Sequence, residues 1–199
     1  MVITVEEARQ YYADGDAAHD FDHVLRVLAL AERIAQAEGA DVEIVRAAAL
    51  LHDVGRAEER RSGGCHARIG AARAREILRG YPPDKVEAVA EAVAAHRFRR
   101  GPAPQSLEAR VLYDADKLDA IGAIGVARAY AVAGREGQKL WGDPDDDQRE
   151  HTPAHEFAFK LSRLKDGLFT PTARQIAADR HDFMAEFFQR LAEEVRGRR

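Results

Sequence analysis

The sequence predicts an all-α fold. Apolar residues recur every three or four positions in segment after segment, helix-start and helix-stop residues bracket those segments, and no stretch alternates as a strand would. From Phe21 to Ala37 the repeat is Val24, Leu25, Val27, Leu28, Leu30, Ala31 and Ile34, with Asp20 or Asp22 as N-cap and Gly39 as stop. A second helix follows Asp41 and carries Ile44, Val45, Ala48, Leu50 and Leu51 before Gly55 ends it. Arg56 to Gly64 reads as a charged loop, closing on Ser62-Gly63-Gly64. The third helix runs from about His66 to Leu78, closed by Gly80 and Pro82-Pro83. The fourth runs from about Asp84 to Phe98, with Val86, Val89, Ala90, Val93 and Ala94 inward, and Gly101, Pro102 and Pro104 break it.

Ser106 caps a fifth helix through Leu107, Val111, Leu112 and Leu118. Gly122 and Gly125 then open a small-residue run that reaches Ala133. Residues 134–152 hold Asp143, Asp145, Asp146, Asp147 and Glu150 and read as an acidic surface loop, without the spacing of a calcium-binding EF-hand. Thr152-Pro153 and Thr170-Pro171 each set an N-cap before proline at the first helical position. They open helices near Ala154–Lys165 and Pro171–Glu194. There is no internal repeat.

Bulk properties narrow the function classes. At 199 residues the chain fits one domain over 1–199 and buries roughly 70 % of its unfolded surface, so its core needs no disulfide or structural metal. Thirty basic against thirty-four acidic residues argue against a wholly nucleic-acid-binding surface, and the one basic run is Arg97–Arg100 around Phe98. The single cysteine, Cys65, points to a reducing, cytoplasmic setting. Neither a signal peptide nor a membrane span is expected.

The chemistry concentrates where an apolar helix ends in His52-Asp53. Adjacent helical residues diverge by about 100°, so the two side chains can grip one ion only if it lies beyond the helix end, where the helix dipole also favours a cation. His23 opens the preceding helix, and Asp116 lies late in the fifth, with Asp114 and Asp119 as competitors. Two imidazoles and two carboxylates suit Mn²⁺, Fe²⁺, Co²⁺ or Zn²⁺ with positions left for water. His19 and Asp20 read as capping groups, and His151 and His155 as surface residues.

The order His23, His52-Asp53, Asp116, in the strings AHDFDHVLRV, ALLHDVGR and LYDADKLDAIGAIGVAR, resembles the HD-domain metal-dependent phosphohydrolase family. Within that family it is similar to the small bacterial HD hydrolases for which nucleotide pyrophosphohydrolase activity has been described. That likeness extends to HARIGAARAREIL, AVAAHRF, FKLSRLKDGLFT and ADRHDFMAEFF, leaving out mainly the first fifteen residues and the acidic loop. The resemblance implies an HD-domain helical bundle, with a metal-binding core at about 20–130 and a C-terminal helical extension at about 152–196. It implies a divalent ion held by His23, His52, Asp53 and Asp116, with Mn²⁺ first and Fe²⁺, Co²⁺, Ni²⁺, Zn²⁺ and Mg²⁺ as alternatives.

His66 and His96 fall where dinuclear HD enzymes place second-metal ligands. In a mononuclear site, the reading preferred here, they face the substrate phosphates. Other HD branches carry glutamate three residues after the motif aspartate. Arg56 stands there instead, which points away from a carboxylate base and towards a phosphate contact. Asp53, His66, His96 and Lys117 form the expected catalytic set, and Arg56, Lys117, His66 and His96 the expected substrate contacts. Lys160, Lys165, Arg180 and His181 are expected to close over a polyphosphate. The implied reaction turns a (deoxy)nucleoside triphosphate into monophosphate and pyrophosphate. The alternatives are a phosphomonoesterase or phosphodiesterase on another small nucleotide, and a non-catalytic nucleotide or metal sensor. The expected partner is a small phosphorylated substrate rather than nucleic acid or membrane, and oligomeric state stays open, a homodimer included.

Overall fold

A computed structural model describes residues 3–12, 21–97, 102–144 and 151–199. The caps His19 and Asp20, Phe98–Arg100 of the basic run, and the acidic residues 145–147 and Glu150 lie outside the described residues. The helices are α1 (Val5–Arg9), α2 (Phe21–Glu38), α3 (Val42–Leu51), α4 (Arg56–Ser62), α5 (His66–Ile77), α6 (Pro83–Ala95), α7 (Leu107–Leu118), α8 (Gly122–Arg135), α9 (Pro153–Phe159) and α10 (Pro171–Val195). The fold is all-α, and among the described residues no helix is long and apolar enough to cross a membrane.

The chain divides into two compact units. The first is Met1–Asp116 with Phe169–Thr172, and the second is Lys117–Leu168 with Ala173–Arg199.

In the first unit, α3 packs on α2 and α6, and α5 packs on α6 and α4. Most of the expected stripes are buried, Val24, Val27, Ala31 and Ile34 on α2, Val45, Ala48 and Leu51 on α3, and Val89, Ala90 and Val93 on α6, while Leu25, Ile44, Val86 and Ala94 are half-buried at the edges. The buried face of α5 is Ala67, Gly70, Ala71 and Ala74, small enough to bring backbones close. Asp41 caps α3, accepting from the N–H groups of Glu43 (2.9 Å) and Ile44 (3.3 Å). Asp114 is buried and clasps the 169–172 segment: its carboxylate accepts from the Thr170 N–H and hydroxyl, each at 2.7 Å, and from the Phe169 N–H. This removes one competitor of Asp116.

In the second unit, Phe157 of α9 stacks on Phe188 of α10, with ring centroids 4.7 Å apart. Asp119 is buried and accepts from Arg128 at 2.9 Å, and Arg180 donates to the Leu118 carbonyl. Thr152 caps α9 as expected, accepting from the His155 N–H.

Three expectations change, and one helix is added. Residues 56–62 form helix α4, not a loop. It buries no residue, so no apolar period announced it. Its charges hold it instead: Glu58 and Glu59 in the first turn and Arg60 and Arg61 in the last oppose the helix dipole, at about 0.3–1 kcal/mol each. α1 is added: it is five residues long and buries only Ala8, too little for an apolar period, and Thr4 and Glu7 make a reciprocal capping box at its start. The predicted Ala154–Lys165 helix stops at Phe159 and gives way to a 3₁₀ turn over Leu161–Gly167. Ser162 donates its hydroxyl to the Ala158 carbonyl at 3.0 Å, competing for the acceptor that a continuing α-helix would use. His155 is buried rather than on the surface, its Nδ1 3.1 Å from the Thr152 hydroxyl.

Candidate metal centre

The centre is assembled in the first unit from helix ends. His23 is the polar N-terminal member of the buried α2 stripe. His52 is the C-cap of α3 and Asp53 follows it in a tight turn. His66 is the first residue of α5, and His96 is the C-cap of α6. All five side chains are buried. Helix ends project side chains past the backbone cylinder, so four helices can point donors at one volume without inserting polar atoms into each other's flanks.

The imidazoles are aimed by their Nδ1 atoms. His52 Nδ1 lies 2.7 Å from the Ala49 carbonyl, and His96 Nδ1 lies 2.6 Å from the Val93 carbonyl. A carbonyl only accepts, so Nδ1 carries the hydrogen in both rings and Nε2 turns to the centre. His23 Nε2 stands 3.3 Å from His52 Nε2, 3.5 Å from Asp116 Oδ1 and 3.8 Å from Asp53 Oδ2. His52 Nε2 is 3.5 Å from the same Asp53 oxygen. An ion bonded at about 2.0–2.2 Å spaces neighbouring donors by about 3–3.5 Å, so His23, His52 and Asp53 are compatible with a divalent metal, with Asp116 beside His23.

Asp53 also faces a second set. Its Oδ1 is buried and lacks a hydrogen-bond partner, with His96 Nε2 at 3.6 Å and His66 Nε2 at 3.9 Å. The two rings present Nε2 atoms 3.2 Å apart. A buried carboxylate oxygen left without a hydrogen bond is costly, by several kcal/mol unless a cation or donor compensates. This orphaned oxygen beside two imidazole nitrogens fits a cation site. The donors are nitrogen and oxygen throughout, with no thiolate, a set that suits an ion with positions left open to water.

Against this geometry, the family comparison is decisive: the profile described as HD domain matches residues 20–121, about half the chain and all of these donors. The chain belongs to the HD domain family.

The HD chain is 36% identical over 188 residues to YpgQ of Bacillus subtilis (strain 168), covering 92% of this chain and 88% of that protein. The crystal structure of YpgQ in complex with ADP superposes with a TM-score of 0.77, over 98% of this chain and 100% of that one, at 31% identity. A predicted HD superfamily hydrolase from an uncultured Thermotogales bacterium gives a TM-score of 0.73 at 32% identity, over 96% and 90% of the two chains. Ribonuclease Y of Chloroflexus aurantiacus is 35% identical over 139 residues, which are 57% of this chain and 26% of that protein. The chain is thus similar throughout its length to small HD superfamily hydrolases.

Three features of this HD centre were not legible beforehand. Arg56 donates from Nε to Asp53 Oδ2, and that carboxylate raises the guanidinium's pKa against the opposing effect of burial. Tyr12 donates its hydroxyl to the Leu50 carbonyl at 2.8 Å, bracing the end of α3 that delivers His52-Asp53. Burial first and the Asp53 charge second push this phenol well above its ordinary range. Glu59 lies against His66 Nδ1 at 2.9 Å, from a segment whose helical state no periodicity signalled. Lys117, the α7 residue after Asp116, falls in the second unit with Lys160, Lys165, Arg180 and His181. There Lys160 pairs with Glu156, and His181 lies beside Phe157.

Electrostatics keep the donors ready. Burial opposes the charge of Asp53, yet His52, His96 and Arg56 outweigh it and hold the carboxyl well below the usual range. Burial lowers His52 to about 4, leaving a neutral ring. This sets a pH dependence for the chain in chelator. An unfolded histidine takes its proton near 6.5, whereas folded His52 refuses it until about 4. Stability is therefore full above about pH 6.5 and falls as the pH drops towards 4, by on the order of 3 kcal/mol. Urea unfolding across that window measures the loss, and His52→Asn should flatten it. An equal slope in the variant would remove His52 as the cause.

Proposed function

We propose that this HD protein is a divalent-metal-dependent phosphohydrolase that splits (deoxy)nucleoside triphosphates into monophosphate and pyrophosphate. The observation that carries the reading is the buried Asp53 carboxylate facing four imidazoles, His23, His52, His66 and His96. The substrate class is supported by likeness over 98% of the chain to YpgQ, crystallised in complex with ADP.

In this reading His23, His52, Asp53 and Asp116 hold the ion, Mn²⁺ first among the candidates. A bound divalent ion supplies Lewis acidity, which lowers the pKa of water and draws charge from a phosphoryl oxygen. The chain's own groups handle charge and protons. Arg56, beside Asp53, and Lys117, next to Asp116, neutralise charge developing on the phosphates. His66 and His96 offer Nε2 at the substrate, taking a proton from the attacking water and passing it to the leaving oxygen. Lys160, Lys165, Arg180 and His181 supply further positive charge for the polyphosphate.

One observation favours a second reading of the metal content. The two oxygens of Asp53 divide between two donor sets, so His66 and His96 could complete a second ion site. Metal analysis after Mn²⁺ loading decides: one ion per chain leaves these imidazoles to the substrate, and two assigns them to metal.

Profiling a nucleotide panel with Mn²⁺, with products identified by mass, tests the reaction. Monophosphate and pyrophosphate are expected. Inorganic phosphate would move the chain to the phosphomonoesterase reading. Binding without turnover across Mn²⁺, Co²⁺, Mg²⁺ and Zn²⁺ would make it a sensor.

A further inference from the structure

His66 differs from the other helix-end histidines in a way that exposes a role for a residue outside the donor set. His52 and His96 sit at helix C-termini, where a carbonyl three residues back in the same helix accepts from Nδ1. His66 begins α5, and the residues before it lie outside that helix, so it has no such carbonyl of its own. An acceptor must come from elsewhere, and Glu59 of α4 supplies it. Both carboxylate oxygens of Glu59 lie 2.9 Å from His66 Nδ1, and Oε1 also accepts from the His66 backbone N–H at 3.2 Å. Behind it, Arg97 stands 3.6 Å from Oε1 and donates to Cys65 Sγ at 3.3 Å, bracing the carboxylate from the far side.

We propose that Glu59 is a positioning residue that fixes His66 as the Nδ1–H tautomer, with a bare Nε2 directed at His96 and Asp53. A carboxylate at neutral pH only accepts, so its two-oxygen grip places the hydrogen on Nδ1. Ring orientation is set by the same grip, since the backbone bond from His66 N–H to the same carboxylate ties the start of α5 to the ring's partner. Unlike the neutral carbonyls behind His52 and His96, Glu59 carries a charge, and an anionic partner on Nδ1 makes Nε2 a stronger donor to metal or proton. Arg97 limits how far Glu59 can swing. The proposal deepens the phosphohydrolase reading and rests on it for the consequence in turnover, but the tautomer is a property of the chain alone.

The test uses ¹⁵N-histidine-labelled full-length chain in chelator at about pH 8, above the ordinary histidine range. Long-range ¹H–¹⁵N correlation spectra report which ring nitrogen carries the hydrogen. Wild-type His66 is expected to show a protonated Nδ1 and an unprotonated Nε2. Glu59→Ala is expected to shift His66 towards the Nε2–H form while His52 and His96 keep their spectra. Glu59→Gln, whose amide oxygen still accepts, should restore much of the Nδ1–H population and guards against a simple loss of the α5 start. In metal-loaded chain, Glu59→Ala should lower metal affinity or turnover by about 10- to 100-fold, with Glu59→Gln in between. A wild-type His66 bearing hydrogen on Nε2, or an Ala variant with the wild-type tautomer, would overturn the proposal. If the tautomer shifts as expected but wild type hydrolyses no nucleotide, the reaction reading fails and the role of Glu59 stands.

Discussion

Asp53→Ala is expected to abolish divalent-metal binding and hydrolysis while leaving the helices in place. Both carboxylate oxygens are committed, Oδ2 to the His23 and His52 side and Oδ1 to the His66 and His96 side, so one substitution takes from both donor sets the carboxylate they share and leaves Asp116 beside His23. The donors that remain, neutral imidazoles and the Asp116 carboxylate, offset a dication with one negative charge fewer. Removing one partner of a buried charge pair costs about 3–5 kcal/mol. At about 1.4 kcal/mol per tenfold, Mn²⁺ binding should weaken on the order of 10³-fold. The fold should survive, because the apolar stripes of α2, α3 and α6 do not pass through Asp53, and the partner it abandons, Arg56, is part-exposed and can turn to water. Calorimetric titration with Mn²⁺ and far-ultraviolet dichroism read the two halves separately. Asp53→Asn keeps the shape without the charge and should fail to bind almost as completely. Unchanged Mn²⁺ affinity in either variant would dissolve the metal assignment.

Gly55→Ala should produce the largest loss of stability from a single added methyl group. Gly55 has ordinary negative φ, so conformational freedom is not its reason for being glycine. Space is the reason: a Cβ there would sit 2.3 Å from the His66 carbonyl oxygen and 2.7 Å from the Gly70 nitrogen, both backbone atoms that no rotamer change can move. The turn after Asp53 and the start of α5 would have to part, at about 3 kcal/mol or more. For a chain of this length that is a fall in Tm of roughly 6–12 °C. Because the turn carries His52-Asp53 and α5 carries His66, metal affinity should fall with stability. Gly63→Ala is the control. Its φ of 71° costs about 1 kcal/mol for an L-residue, but nothing lies within 4 Å of the new methyl, so the centre should be untouched. A Gly55→Ala protein as stable as wild type, binding Mn²⁺ equally, would remove the close-approach argument.

Much of this molecule was readable from its residues, for reasons that can be named. α2, α3 and α6 announce themselves because each buries one face against neighbours, and burial of one face imposes the three-and-four spacing. α4 did not, because nothing on it is buried, and what holds it is a charge pattern that a loop could equally display. Gly55 could be read only as a helix stop, since the sequence does not show which backbone will press against it. By residue type Asp114 and Asp119 compete with Asp116, which only the likeness to HD strings singles out; packing buries the first under Thr170 and sets the second against Arg128.

Local chain chemistry determined on its own that this protein is helical, where its main apolar helices run, and that it owns an imidazole-carboxylate pair at a helix end. Those properties depend on neighbours within a turn or two, which the chain order states directly. Only the tertiary structure decided that Asp53 divides its oxygens between two donor sets, that Arg56 lies on one of those oxygens, and that Glu59 stands behind His66. Those relations join α2, α3, α4, α5 and α6 across distances of a few ångströms. They are fixed by how closely small-residue faces allow helices to approach, which no spacing along a single helix encodes.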